Sequence, residues 1–451
     1  MKNKYTPLKL FILLAAFGLQ PLASQEPIRI SPGEAVQMAV RNNLGLQSAR
    51  VSAETRRRES DLSWNQFIPS VNLAGMLNRT NAEPLPPMSG SRWQAIGTIQ
   101  TSINLNLAMI ENINRLRRDW ETGLISYNKA RMQLERDVRK AYNNMLLFQE
   151  NASLLRESFQ AAQRLVDFAQ ANFLAGRAPE LPLLQAQVAM ENMRPAVEQV
   201  EYAFWLSMVN FAMLLGLPSE TFFELIHMEE GPGFHAARPE ELPYGISDLI
   251  SRAAASRPEI QELRHTILML ESARKMQQRA LLPNLNLSWS YNPVHLDPWG
   301  ASWSLSNWRD QGSFSITLGI RLHSLLPFSQ DTQGIRNMDD QITAANIGLA
   351  QMIQGTEMEI FNTILSLDRI RRTAEAQAQT VALAERVFSL TEDAFRAGFQ
   401  DFLQVQNAEL ELRQARVSLL EHQFNFLNGL LDLEYLTGVP FGTLSSQRVA
   451  P

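Results

Sequence analysis

The sequence predicts a mainly helical chain built from two related halves, each of which also contributes a pair of β-strands of the kind found in membrane barrels. Three patterns predict this fold class. The chain repeats its own landmarks, it carries a very long coiled-coil seam, and it contains four segments of about ten residues in which apolar and polar residues alternate.

The first residues have the pattern of a secretory signal peptide. Lys2, Lys4 and Lys9 precede an apolar run over 10–19, and the small residues Ala23 and Ser24 follow. Such a run is too short for a membrane helix, which needs about 20 residues. We therefore expect a signal peptide over 1–24 and an exported protein, with no later stretch apolar enough for a spanning helix.

Composition excludes several kinds of chemistry. The 451 residues include no cysteine, so thiol nucleophiles, disulfides and a lipidated N-terminal cysteine are ruled out. The net charge is −5, which argues against a general nucleic-acid binder. The six histidines form no i, i+4 ligand pair, and we predict no catalytic residue, no metal site and no cofactor.

The repeat defines the domain organisation. Pro283 lies 214 positions after Pro69 in a similar context, and Gly398 lies 222 positions after Gly176. A period this long indicates a duplicated domain and not a short solenoid repeat. We predict a first repeat over 25–230, a linker over 231–244, a second repeat over 245–445 and a tail over 446–451.

A coiled-coil seam runs through each half. In the first half it predicts one helix over about 109–175, roughly 100 Å long at 1.5 Å per residue. Its twelve apolar positions alternate in steps of four and three: Leu134, Val138, Ala141, Met145, Phe148, Ala152, Leu155, Phe159, Ala162, Val166, Ala169 and Phe173. The seam recurs 222 residues later with more polar breaks. Gly176 and Gly398 then fall where a helix ends in a left-handed residue.

Four alternating segments follow the pattern of transmembrane strands, at about 69–79, 97–107, 283–292 and 313–323. A soluble sheet lying on a helix is the alternative, which the export signal and the Asn- and Ser-rich second face disfavour. The predicted lipid face comprises Leu285, Leu287, Trp289, Ile316 and Leu318. The predicted lumen face comprises Asn104, Asn106, Asn286, Ser288, Thr317 and Arg321.

Four strands cannot close a barrel, because unpaired edges are not tolerated in lipid and bacterial barrels begin at eight strands. Several chains must therefore combine their strands, two giving eight and three giving twelve. Long helices attached to such a barrel would continue it as a helical tube.

Aromatic and basic residues mark other surfaces. Trp299, Trp303 and Trp308 fall in a long loop between the third and fourth strands, where packing or an interfacial position is favoured over ligand recognition. Trp289 and Tyr291 suit an aromatic girdle. The arginine runs 56–58 and 369–372 are interpreted as solvated helix faces, with tunnel lining or pairing between subunits as the alternative.

The chain resembles the TolC-type outer-membrane efflux proteins over nearly its whole mature length. The resemblance is carried by the helix over 35–43, the Ile68-Pro69 and Leu282-Pro283 strand entries, and the Ala-Gly helix turns, each in the right order. It implies a homotrimer in outer-membrane lipid, with a twelve-stranded barrel and a periplasmic helical tunnel. It also implies a periplasmic adaptor (a membrane fusion protein) and an inner-membrane transporter of the RND, ABC or MFS class as partners.

The resemblance also implies where the functional ends lie. The helix tips at Gly176 and Gly398 would contact the adaptor, and the second-half helices would close the tunnel entrance. Relatives often carry acidic residues six and nine positions after the tip glycine, whereas this chain has Gln404 and Asn407 there. Asp401 is the nearest acidic residue, and an ordinary helix N-terminus is the alternative role for it.

Two classes of function fit these patterns. The first is a passive outer-membrane conduit of a tripartite efflux pump or a type I secretion system. The second is a periplasmic coiled-coil scaffold, which the heptads alone would allow. The four alternating strands favour the conduit, since a scaffold has no need of amphipathic segments long enough to cross a membrane.

Overall fold

The computed structural model describes residues 27–79, 81, 92–226, 245–296, 298–299 and 303–446. The predicted signal peptide, the predicted linker over 231–244 and the last five residues lie outside the described residues. The described part consists of long helices with an antiparallel sheet at one end.

The helices, in chain order, are α1 (Pro32–Asn42), α2 (Leu44–Asp61), α3 (Ala108–Leu174), α4 (Glu180–Leu215), α5 (Ile246–Ser256), α6 (Pro258–Arg279), α7 (Gln330–Arg396), α8 (Phe402–Thr437) and α9 (Thr443–Ser446). The strands are β1 (Ile28–Ile30), β2 (Ser70–Arg79), β3 (Trp93–Leu105), β4 (Phe223–Leu225), β5 (Asn284–Tyr291), β6 (Pro293–Leu296), β7 (Trp308–Asp310) and β8 (Ser313–Gly319). Short 3₁₀ turns cover Ser63–Phe67, Leu305–Asn307 and Leu322–Leu325.

The duplication is visible in the helices. Helices α3 and α7 have 67 residues each, and α4 and α8 have 36 residues each. Both pairs are displaced by the same 222 positions that the sequence landmarks show. At 1.5 Å per residue, α3 and α7 each extend for about 100 Å. The predicted long helical hairpins, one per half, are confirmed.

Local sequence sets the helix ends. Ser31 and Glu34 form a capping box at the start of α1, with the Ser31 side chain accepting from the Glu34 N–H. The Ser329 side chain accepts from the Thr332 N–H at the start of α7. Gly216 ends α4 with φ of +72°, and a Cβ there would clash with the backbone of Asn42. Only glycine meets both conditions at this position.

Each layer of the molecule is four elements wide. In the helical layer next to the sheet, the helices lie side by side in the order α2, α3, α6, α7. In the layer further from the sheet, which we call the far layer, the order is α4, α3, α8, α7. The first-half seam is buried against these neighbours, since seven of its twelve predicted positions are buried in α3. Helix α3 therefore joins the two halves along most of its length, packing against both α6 and α8.

The sheet contains the four expected strand paths. Strand β3 pairs with β2 on one side and with β5 and β6 on the other, and β8 and β7 complete the far edge. β6 continues β5, and β7 precedes β8, without a change of register. The break that separates β5 from β6, and β7 from β8, lies where Asp310 Oδ1 accepts hydrogen bonds from the Asn292 and Gly312 N–H groups, at 2.9 and 2.7 Å. The fourth path ends at Gly319, before the 3₁₀ turn, and not near 323.

Candidate membrane surface and tunnel ends

The strand register separates the sheet into a polar face and an apolar face. Asn104, Asn286 and Thr317 lie in one cross-strand row. Ser102, Ser288 and Ser315 form the next row on the same face. All four predicted lumen residues that lie within the strands therefore share one face.

The other face is apolar and open to solvent in a single chain. Leu105, Leu285 and Leu318 form one row; Ile103, Leu287 and Ile316 form the next; Thr101, Trp289 and Phe314 form the third. The five predicted lipid-face residues all lie here, and Leu318 is 73% exposed. A continuous exposed apolar face of this kind marks a membrane or protein contact.

Two predicted lumen residues lie beyond the strand ends. Asn106 follows β3, and its side-chain oxygen accepts from the Met109 N–H at 3.1 Å, which helps to start α3. Arg321 follows β8 and precedes the 3₁₀ turn Leu322–Leu325. The strand pattern alone does not assign either side chain to the lumen face.

The two edges of the chain carry elements from opposite halves. Strand β2 and helices α2 and α4 form one edge, and β7, β8 and α7 form the other. Both edge helices of the far layer expose large apolar side chains. On α4 these are Leu181, Leu184, Val188, Tyr202, Trp205, Leu206 and Met213; on α7 they are Ile347, Met358, Phe361, Leu365, Leu383, Val387 and Leu390. These positions were not predicted, because they lie outside the single predicted seam of each half, although several of them repeat in steps of three and four.

The hairpin tips have the predicted glycine turns. Gly176 and Gly398 have φ of +67° and +80°. At each tip the glycine N–H and the next N–H bond back to the helix: Arg177 donates to the Asn172 carbonyl and Phe399 to the Ala394 carbonyl, both at 2.8 Å. A Cβ on either glycine would meet no neighbouring atom within 4 Å, so the conformation alone favours glycine.

The tips are also apolar and exposed. Leu174 and Phe399 are 75% and 85% exposed, next to glycines that reverse the chain. Behind them, Phe395 packs edge-on against Phe168 and Phe402, with ring centres 5.8 and 6.0 Å apart. The tips are therefore rigidly supported but uncovered in a single chain, which is the state expected of a contact surface.

The three predicted entrance residues lie together at the start of α8. Asp401 occupies the N-cap position, but its side chain makes no capping bond, and its carbonyl accepts from the Gln404 N–H at 3.1 Å. Asp401, Gln404 and Asn407 are all exposed and spaced three residues apart, so they lie along one side of the helix.

A polar cluster joins the halves in the helical layers. Tyr435 on α8 donates to Glu259 Oε1 on α6 at 2.6 Å, and the Arg136 guanidinium of α3 lies 4.7 Å from the Tyr435 ring centre. Burial raises the pKa of Tyr435, and the bond to Glu259 raises it further. Burial alone would raise the pKa of Glu259, but the Tyr435 hydroxyl and the Arg257 guanidinium outweigh it and hold that pKa below its usual value. Glu259 therefore stays ionised and holds α8 on α6.

The part of the chain that the structure describes contains no group of three or more His, Asp or Glu side chains that could hold a metal ion. His227 and His235 lie outside it. Of the others, His295 is fully buried in the sheet, and His265 Nδ1 is 3.8 Å from Glu121. Among the described helices, none combines the length and apolar character needed to span a bilayer.

This fold recurs in known proteins. The outer-membrane channel CmeC of Campylobacter jejuni superposes with a TM-score of 0.75 at 15% identity, over 90% of this chain and 85% of that one. Nodulation protein T of Rhizobium leguminosarum bv. viciae is 22% identical over 379 residues, covering 80% of this chain and 76% of the relative. The toluene efflux pump outer membrane protein TtgC of Pseudomonas putida is 21% identical over 415 residues, covering 88% and 81%.

The helical hairpins and the sheet give the chain the fold of an outer-membrane efflux channel. The family follows from the sequence itself. Residues 35–217 and 249–439 match the outer membrane efflux protein family, and the chain belongs to it. The protein is therefore an outer-membrane protein with its helical part in the periplasm, in a family of channels and not of enzymes.

Proposed function

We propose that three copies of the chain close into one tube. The observation that carries this proposal is the composition of the two edges. Strand β2 with α2 and α4 forms one edge, and β8 with α7 forms the other, so one edge of a copy faces the opposite edge of the next. Contacts of this head-to-tail kind close into a ring when the rotation allows it.

The strand number limits the size of the ring. Each copy supplies four strand paths, so two copies give eight and three give twelve. The family resemblance selects three, with a twelve-stranded barrel continued by twelve helices in the far layer. In this assembly the exposed apolar seams of α4 and α7 cover each other, and the apolar sheet face meets lipid.

The assembled tube would act as a passive conduit across the periplasm and the outer membrane. The Ser- and Asn-rich sheet face suits a water-filled interior, because such barrels have a polar lumen and an apolar exterior. The tips at Gly176 and Gly398 would meet a periplasmic adaptor, and an inner-membrane transporter of the RND, ABC or MFS class would supply substrate. The setting would be a tripartite efflux pump or a type I secretion system. A periplasmic scaffold gains no support, since it would leave the apolar sheet face exposed to water.

Paired cysteines test the ring directly, because the natural chain has none. Leu184 and Val188 on α4 lie 8 and 12 positions after Gly176, and Leu390 and Val387 on α7 lie 8 and 11 positions before Gly398. The two seams are thus matched in height. Val188→Cys combined with Val387→Cys should give covalent trimers on a non-reducing gel after oxidation in outer-membrane fractions.

A control pair keeps the same seams but changes the height. Leu365 is exposed on α7, yet it lies 22 residues before Val387, which is about 33 Å along the helix. Val188→Cys with Leu365→Cys should therefore stay monomeric on the gel. Covalent dimers with no trimer, or a detergent-purified protein that is monomeric by light scattering, would contradict the proposed assembly.

A further inference from the structure

The apolar face of the sheet continues past the lipid-facing rows to an aromatic and basic cluster. The strand register places Leu77, Ala95, His295 and Trp308 in one row on that face. Arg79 and Trp93 form the next row, at the ends of β2 and β3 furthest from the helices. We call the set Arg79, Trp93, His295, Trp299, Trp303 and Trp308 the outer shelf.

The rings of the outer shelf pack into a firm platform. Trp303 stacks on His295 with ring centres 5.2 Å apart, and Trp308 meets His295 edge-on at the same distance. Trp299 meets Trp93 edge-on at 6.2 Å. His295 is fully covered, whereas Trp299 and Trp303 remain 70% and 61% exposed. The platform thus presents two indole side chains outwards.

A guanidinium group lies at the border of this platform. The Arg79 guanidinium carbon is 5.8 Å from the ring centre of Trp93. Within the described part of the chain, no carboxylate forms an ion pair with Arg79, and its side chain is exposed. The group is therefore held in place by an aromatic face, while within one chain its hydrogen-bond donors remain available.

The height of the shelf sets its surroundings. Leu105 belongs to the apolar row of the strands that lies nearest the helices. Trp93 lies twelve residues away from Leu105 along β3, a distance of about 40 Å in an extended strand. With the strands tilted by roughly 40°, this is about 30 Å along the membrane normal, and the apolar band of such barrels is about 25 Å tall. The polar break at Asp310 and Gly312 lies between the lipid-facing rows and the shelf. The shelf therefore sits at the level of the outer lipid headgroups.

We propose that the outer shelf binds the headgroup of a phosphorylated glycolipid in the outer leaflet. Arg79 would bind the phosphate, for which a planar guanidinium is well suited, and the exposed faces of Trp299 and Trp303 would stack on sugar rings. The apolar rows below would hold the acyl chains. This inference rests on the lipid-facing assignment of the apolar face proposed above.

Arg309 provides a matched control on the same rim. It lies next to Trp308 on β7, but it pairs with Val294 and belongs to the opposite, polar face of the sheet. Both arginines are exposed. Arg79→Gln and Arg309→Gln thus remove the same charge at a similar height, on the lipid side and on the lumen side.

The test is a titration of the purified trimer with lipid A in mixed detergent micelles, with bound lipids counted by native mass spectrometry. Phosphatidylethanolamine, which is zwitterionic and carries no sugar, is the comparison lipid. Arg79→Gln should weaken lipid A binding by about tenfold, the loss expected for one charge-assisted contact, and Arg309→Gln should leave it unchanged. Trp299→Ala should weaken binding of lipid A from which the phosphates have been removed, whereas Arg79→Gln should not.

Equal binding by the Arg79 and Arg309 variants would overturn the proposal, as would an unmodified trimer that takes up lipid A no better than phosphatidylethanolamine. Loss of the trimer on substitution of Arg79 would show that this side chain serves subunit contact instead. Single-channel conductance of the same preparations separates this outcome from the proposed function. A conducting trimer without lipid A selectivity refutes only the shelf, whereas a protein that forms no channel refutes the conduit.

Discussion

Ser288 and Ser315 lie directly opposite each other on β5 and β8, with their hydroxyl oxygens 2.7 Å apart. Their neighbours along the strands, Leu287 and Ile316, are opposite each other on the other face. A single residue step therefore separates a hydrogen-bonded polar row from an apolar row. Because the side-chain period of a strand is two, this register fixes the face of every residue on both strands.

Arginine substitutions should distinguish the two faces. Leu287→Arg should block membrane insertion, because a charge at mid-bilayer on a barrel exterior costs about 2–4 kcal/mol per chain. Ser288→Arg should insert, since its side chain would lie in water inside the barrel. The measurement is the amount of protein in outer-membrane fractions and its heat-modifiable mobility on gels. Equal insertion of both variants would show that the faces are wrongly assigned.

Much of this architecture could be predicted because burial follows a simple period. Apolar residues in steps of four and three were enough to predict the α3 seam. Alternation of apolar and polar residues was enough to predict the strands. The Gly176 and Gly398 turns were predictable because few other residues adopt a left-handed backbone conformation. These features depend only on residues that are close together in the sequence.

Features that depend on packing between separate helices or strands could not be predicted. Arg371, interpreted as part of a solvated run, is only 8% exposed, and its guanidinium pairs with Asp368 and Glu375 on the same helix. That interpretation is wrong for Arg371, because the packing of α7 on its neighbours decides which side of the helix is covered. The outer shelf likewise depends on a cross-strand register that joins Trp308 to His295, and sequence spacing does not reveal that contact.

The tip glycines allow a test of conformation without a change in packing. Gly398→Val should place a β-branched residue at φ of +80°, which costs about 1–2 kcal/mol or more and should distort the turn. We expect intact trimers that no longer confer efflux. Gly398→Asn is the matched control, because asparagine tolerates this conformation and the site has open space around it. Full activity of Gly398→Val and of the equivalent Gly176→Val would argue against an adaptor contact at the tips.

Tyr142 should contribute stability that disappears at high pH. Its hydroxyl lies 3.1 Å from the Ile30 carbonyl and 2.9 Å from the Ile226 carbonyl, at the ends of β1 and β4. Burial raises the pKa of Tyr142 from 10.0 to about 12, so the folded protein favours the neutral hydroxyl. Its contribution should be complete below pH 10 and should be lost as the pH rises towards 12.

Tyr142→Phe measures this contribution. At neutral pH the variant should lose about 0.5–1.5 kcal/mol of unfolding free energy, because the Tyr142 hydroxyl no longer donates to the Ile30 and Ile226 carbonyls. The check is thermal unfolding of the detergent-solubilised protein at several pH values, and the gap from the unmodified protein should shrink above pH 10. Tyr202→Phe is the control and should behave as the unmodified protein, because the ring is kept and the Tyr202 hydroxyl forms no hydrogen bond with the described residues of the chain. Identical stability of both variants at neutral pH would refute the anchoring role.

The start of α8 should determine how multivalent cations act on the channel. Three copies of Gln404 and Asn407 would form a neutral polar ring at the proposed entrance. Two unit charges 4 Å apart interact by about 4 kcal/mol at an effective dielectric constant of 20, and a neutral ring lacks that attraction. We therefore expect hexammine cobalt to block the unmodified channel weakly in planar-bilayer recordings, and to block the Gln404→Asp channel at least tenfold more tightly.

Gln406→Asp is the matched control for that substitution. It adds the same charge to the same turn, but Gln406 lies two positions from Gln404 and so on another side of α8, where it is partly buried. It should leave the block weak. Tight block of the unmodified channel would mean that an acidic side chain already lines the entrance. Asp401→Asn would then identify the source, because Asp401 is exposed, follows the tip directly and makes no capping bond that would hold its carboxylate away from the opening.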